Sequence, residues 1–132
     1  HITSGLRSGQ TFFSFSEAPI TKLLSQEVTQ TVLLWMESVV EQGSGQGVRT
    51  PGYRIAGKTG TAQKVVNGGY KTGAKICSFV ASLPVDNPRY VVLVVIDEPE
   101  GSNAYGSTVA VPVAKEIIDA LLVLEKMIFN SI

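Results

Sequence analysis

Three extended stretches joined by two tight turns constrain this chain more than any other feature. Tyr53 to Val66 mixes β-branched residues with small and polar ones, and Asn67-Gly68-Gly69 follows it as a turn. Ile76 to Leu83 (ICSFVASL) alternates large and small side chains. Pro84 and then Asp86-Asn87-Pro88 mark a second short connection. Tyr90 to Ile96 (YVVLVVI) is apolar at every position. Parallel neighbours need a crossover of about a dozen residues or more, so connections this short dictate antiparallel pairing. A strand apolar on both sides is expected at the centre of a sheet with both faces covered.

Helical patterns bracket these strands. Ser25 is suited to an N-cap, Glu27 falls in the first turn, and Val28, Val32, Trp35 or Met36, and Val39 recur at helical spacing. That stripe puts Trp35 in the core. Gly43 should end the helix, and Gly43-Ser44-Gly45-Gln46-Gly47 reads as a loop without regular structure, fixing backbone geometry. A last helix is predicted from about Ser107 toward Phe129, with Pro112 near its first turns and Ala114, Ile117, Leu121 and Ile128 on one face. His1 to Pro19 is irregular apart from a short strand around Thr11 to Phe15. The whole predicts an α+β fold, an antiparallel sheet flanked by helices, within one domain of 132 residues.

Charge and composition exclude several functions. Eleven basic residues balance eleven acidic ones with no basic stripe, so no nucleic-acid surface is expected. Cys77 is the single cysteine, which rules out an internal disulfide and a multi-thiolate metal site; inside a strand it should be a small buried hydrophobe. His1 is the single histidine and has no assignable role, which argues against a His-based metal site or a Ser-His-Asp triad. No metal and no cofactor are expected. The longest apolar runs are too short to span a bilayer. A start on His rather than Met points to a piece of a longer protein.

The chemistry concentrates in GYRIAGKTGTAQK, Gly52 to Lys64. Gly52 to Thr59 satisfies G-x-x-x-x-G-K-[ST], the phosphate-loop pattern. A phosphate loop needs a buried strand before it and a helix directly after the lysine. Here a Gly/Ser loop precedes, Tyr-Arg-Ile-Ala is itself strand-like, and Gly-Thr-Ala-Gln-Lys-Val-Val is a poor helix start. The nucleotide reading is set aside. The same lysine also opens Lys58-Thr59-Gly60, the K-T-G triplet of serine enzymes that attack peptides and β-lactams. In mid-strand at a cleft rim, Lys58 can hydrogen-bond a serine hydroxyl, and Thr59 and Thr61 can bind a substrate carboxylate. Gly60 lets a substrate backbone lie against the strand, and the Thr61 N–H can serve an oxyanion hole.

The flanking residues carry the assignment further. AGKTGTAQK, the preceding GSGQGVRTPGY, the following SFVASLPVDNPRYVVLVVIDEP and the helix entry YGSTVAVPVAKEI resemble the C-terminal half of the transpeptidase domain of class B penicillin-binding proteins, the peptidoglycan D,D-transpeptidases. PITKLLSQEVTQTVLLWMESVVEQ also fits, so the resemblance runs from about Pro19 to Leu122. It implies Lys58 and Thr61 as catalytic and Thr59, Gly60, Thr61 and Tyr105 as substrate-binding. Tyr105 stands where relatives often line the cleft with aromatics, although it also suits a loop cover for the core. Gly106-Ser107 departs from the family's usual glycine pair, and Gly43-Ser44-Gly45 from a commoner Gly-Thr-Gly.

The family's Ser-x-x-Lys nucleophile segment and its Ser-x-Asn helper do not occur in these residues. Residues 1–132 are therefore expected to be a partial transpeptidase domain carrying the third motif, inactive by itself. The resemblance implies a sheet whose first strands come from earlier residues, leaving Tyr90 to Ile96 with an open edge. Association, strand swapping or a complementary chain is expected. With its upstream half the protein would bind stem peptides and β-lactams on the outer face of the cytoplasmic membrane, anchored by an upstream helix. Two other functions stay open: a D,D-carboxypeptidase or β-lactamase-like hydrolase of the same fold, and a non-catalytic peptide-binding module.

Overall fold

The computed structural model describes residues 5–8, 10–14, 22–66 and 68–129. Strands β1 (Gly5–Ser8) and β2 (Thr11–Ser14) form an antiparallel pair, with Ser8 opposite Thr11. Helix α1 (Gln26–Gln42) begins where Ser25 Oγ accepts the Val28 N–H at 3.2 Å and ends at Gly43. Both ends follow from the sequence, since a serine cap satisfies one orphan N–H and glycine accepts the tight exit. A Cβ on Gly43 would stand 2.9 Å from the Val39 carbonyl.

The Gly43–Gly47 loop contains regular structure after all: a short 3₁₀ turn at Gln46–Val48. Val48 is fully buried and holds the turn against the core. Three strands follow: β3 (Ala56–Val66), β4 (Gly69–Leu83) and β5 (Tyr90–Asp97), antiparallel in the order β3-β4-β5. β4 starts seven residues before the predicted Ile76, because the β3–β4 hairpin zips up to Val66 opposite Gly69. A bulge between Gln63 and Val65 absorbs the change of register. Gly106–Ala110 forms a wide helical turn that leads into α2 (Val111–Phe129). The architecture is α+β, as predicted.

Residues facing each other across an antiparallel ladder share a face. One face carries Thr59 and Thr61, Cys77, Phe79, Ala81 and Leu83, and Val92, Val94 and Ile96. Phe79 on this face joins Val40 of α1, Val48 and the α2 residues Val111, Ala114, Ile118 and Leu122 in one core. Cys77 is buried there with a free thiol. The other face carries Lys58 and Gly60, Ser78 and Val80, and Val91, Leu93 and Val95.

Three expectations need correcting. Among the described residues β5 lies at the margin of its sheet, with the open edge the resemblance implied and not at the centre its composition suggested, and only one of its faces is covered; a run apolar at every position does not say which elements will cover it. Trp35 is 68% exposed, with Val28 and Val32 also exposed, because α1 meets the sheet chiefly through its C-terminal end at Val40. In α2 the buried stripe is Val111, Ala114, Ile118 and Leu122, and Ile117 is exposed. That stripe has the same helical period as the predicted one, rotated by about one residue. The side chain of Ile128, and Phe15, fall outside the described residues.

Candidate functional site

The edge strand β3 presents the Lys58-Thr59-Gly60-Thr61 series along one open margin of the sheet. No helix follows Thr59, so the strand geometry rules out a phosphate loop. Alternation places Lys58 and Gly60 on the open face and Thr59 and Thr61 on the helix-covered face. The two sets share a strand edge and lie on opposite faces of it.

Each residue of the series is engaged differently. Lys58 is exposed, and its Nζ donates to the Thr59 carbonyl at 3.0 Å. Among the described residues no carboxylate pairs with it, in contrast to Lys64, which donates to Asp97 at 2.7 Å and lies 3.1 Å from Glu98. The hydrogen bonds it donates to Asp97 and then Glu98 push the Lys64 ammonium above its ordinary range. Thr59 Oγ1 lies 2.7 Å from Ser44 Oγ in the loop after α1. Thr61 Oγ1 accepts the Gly106 N–H at 3.0 Å.

In an edge strand alternate residues turn their N–H and C=O groups outward. The ammonium of Lys58 on the Thr59 carbonyl marks the odd-numbered residues as the outward set, and Thr61 shares that parity. Gly60 pairs with Ser78, and a Cβ there would stand 2.5 Å from Ser78 Oγ. Glycine thus keeps the open face flat beside Lys58. Gly106 lies on the opposite face: a Cβ would come within 2.6 Å of the Ser78 carbonyl and 2.7 Å of the Gly60 carbonyl. This contact lets the entry to α2 sit directly on the β3–β4 backbone.

Tyr105 is half exposed and precedes Gly106, whose N–H donates to Thr61 Oγ1. Its ring lies 4.2 Å from Lys75 Nζ, which also donates to the Ala104 carbonyl at 3.2 Å. Among the described residues it is Lys75, not Lys58, whose ammonium sits at the Tyr105 ring. A cleft of about 750 Å³ opens beside Lys75 between Thr72–Ala74 and Glu98–Ser102, and Lys58 does not line it. Two partners escaped sequence reasoning. Ser44 was visible only as a loop residue between glycines, and the Gly106 N–H gave no signal beyond standing at a helix start.

The penicillin binding protein transpeptidase domain family matches residues 15–119. A peptidoglycan D,D-transpeptidase FtsI homolog of Mesostigma viride is 45% identical over 108 residues, 81% of this chain and 18% of that protein. Stage V sporulation protein D of Bacillus subtilis is 41% identical over 104 residues, 77% of this chain and 16% of that protein. The transpeptidase domain of Burkholderia pseudomallei penicillin-binding protein 3 superposes with a TM-score of 0.68 at 36% identity, over 90% of this chain and 35% of that one. Penicillin-binding protein 3 of Mycobacterium tuberculosis, complexed with ampicillin, gives a TM-score of 0.72 at 29% identity, over 88% of this chain and 28% of that one. The chain spans less than a fifth of the length of these curated relatives. With the family match covering most of its residues, the chain belongs to the penicillin-binding protein transpeptidase domain family.

Proposed function

We propose that this chain is the K-T-G-bearing part of a serine peptidoglycan D,D-transpeptidase that is also acylated by β-lactams. One observation carries the reading: Lys58 is exposed on an open edge strand, free of any carboxylate partner among the described residues, with Thr59 and Thr61 flanking a glycine at Gly60. An ammonium so placed can exchange its bond to the Thr59 carbonyl for one to a serine hydroxyl. In the reaction, a serine supplied by a Ser-x-x-Lys segment attacks a stem-peptide carbonyl, and the Thr61 N–H stabilises the oxyanion that forms. The terminal residue of the donor peptide leaves, and the amine of a second stem peptide takes up the acyl group. The threonine hydroxyls hold the carboxylate of the donor peptide or of the β-lactam.

The apolar open face of β4 and β5 would pack against the part of the domain that carries the serine. The reaction would then take place on the outer face of the cytoplasmic membrane, where peptidoglycan is made. Labelling with a fluorescent penicillin tests the reading. Joined to its Ser-x-x-Lys-bearing part, the protein is expected to label covalently, and Lys58→Ala is expected to slow labelling by about a hundredfold or more, the scale of a lost proton-transfer partner. Residues 1–132 alone should stay dark. Labelling of the isolated chain, or unchanged labelling of the Lys58→Ala protein, would overturn it.

A further inference from the structure

The two threonine hydroxyls beside Lys58 are not equally free to choose their hydrogen-bond roles. The Gly106 backbone N–H can only donate, so its 3.0 Å bond to Thr61 Oγ1 fixes that oxygen as acceptor. The hydroxyl proton of Thr61 is left to point elsewhere. Thr59 faces a different neighbour, Ser44 Oγ at 2.7 Å, and either hydroxyl of that pair could donate. If Thr59 donates to Ser44, it offers a ligand only lone pairs. If Ser44 donates, Thr59 has a proton to give, just as Thr61 does.

Ser44 is well held for such a task. It lies between Gly43 and Gly45, and the N–H groups of both glycines donate to the same carbonyl, that of Val39, at 3.0 and 3.1 Å. Gly45 is buried against Val40 and Phe79, so the loop is pinned to the core on one side of Ser44 and to the end of α1 on the other. We infer that Ser44 is a positioning residue: it donates to Thr59 Oγ1 and so turns the Thr59 proton outward, making Thr59 and Thr61 a matched pair of donors for an anionic carboxylate. A Gly106 N–H on one threonine and a Ser44 O–H on the other perform the same task from two different elements. The inference rests on the transpeptidase reading, because it names which group of the ligand the pair receives.

The test uses the full-length protein containing this chain and two probes, a fluorescent penicillin with its free carboxylate and the corresponding methyl ester. Ser44→Ala is expected to slow acylation by the acid about tenfold, the loss of one hydrogen bond to a charged group, and to leave the slower reaction of the ester within about twofold. Ser44→Thr keeps a hydroxyl and should restore the acid rate. A role in holding the fold would slow both probes alike, and that result overturns the inference, as does a Ser44→Ala protein that reacts with the acid at the wild-type rate. If the unsubstituted protein fails to label with either probe, the transpeptidase reading falls and the inference falls with it. Equal slowing of both probes in a protein that labels normally removes the Ser44 role alone.

Discussion

Val92 and Val94 are each 7% exposed, whereas Val91, Leu93 and Val95, which alternate with them along β5, are 73%, 64% and 57% exposed. The two faces of one strand thus have nearly the same composition and opposite surroundings. The covered face is closed by α1, the 3₁₀ turn and α2 around Phe79, which is fully buried. The open face holds the apolar side chains of β5 beside the row that starts with Lys58 and Gly60. An apolar patch of that kind, bordered by chemistry-bearing residues, marks a surface meant for contact. The fold of this chain therefore resides on one side of the sheet, and its proposed chemistry lies along the β3 margin, drawing Lys58 from the open face and Thr59 and Thr61 from the covered one.

The comparison breaks most visibly if the covered face can be emptied without harm. Phe79→Ala should cost about 3–5 kcal/mol, enough to remove most of the stability of a domain this size, and thermal melting would show it. A Phe79→Ala protein with an unchanged melting temperature would mean that the core lies elsewhere. Gly106→Ala comes next. Its Cβ would meet two backbone carbonyls within 2.7 Å, atoms that cannot swing aside as a side chain can. The expected loss is about 1–3 kcal/mol, with the α2 entry lifted off the β3–β4 backbone. Hydrogen exchange at the Gly106 amide, bonded to Thr61 Oγ1, should quicken in step with it.

Much of the covered face was legible in the sequence, and the reasons are local. Ser25 and Gly43 set the ends of α1 because caps act over a single turn. The turns at Gly68 and at Asp86–Pro88 set the antiparallel order because so few residues allow no other connection. The K-T-G triplet stood out because those residue types recur together in β-lactamases and penicillin-binding proteins. The open face was not legible. A strand apolar at every position announces that both sides are shielded, and it says nothing of which chain or element shields them. The same limit misplaced Trp35, since a helical stripe gives a direction around the axis but not the length of helix that meets a neighbour. Ser44 was missed because its contact with Thr59 spans 15 residues and depends on how a loop between two glycines is pinned.

The open face sharpens the comparison by what it should not do. Leu93→Ser together with Val95→Ser removes apolar side chains that touch no core, so the melting temperature should hold within about 0.5 kcal/mol of stability. Sedimentation at high protein concentration should show the unsubstituted chain associating through this patch and the open β5 edge, and the double variant doing so less. A stable monomer before substitution would remove the open face from any account of contact.

The smallest expected effect lies at the rim of the covered face, where Glu37 of α1 meets Arg54 just before β3. Arg54 Nε donates to Glu37 at 2.7 Å and its Nη2 at 2.6 Å, while Nη1 reaches Asp86 in the β4–β5 turn. Those hydrogen bonds hold the Glu37 carboxyl below its ordinary value of 4.5, against the opposing effect of burial. The unfolded chain therefore takes up a proton at Glu37 before the folded chain does. Stability from this group is complete above 4.5 and is lost as pH falls through that value toward the lower folded one. Glu37→Gln removes the titrating group and leaves the arginine a neutral acceptor. The melting temperatures of the two proteins should differ at neutral pH and converge as the solution is acidified, most clearly at low salt, where an exposed arginine is least screened. A constant gap across the acid range would mean that the Glu37 charge does not tie α1 to the sheet, and that packing around Val40 alone closes the covered face at that corner.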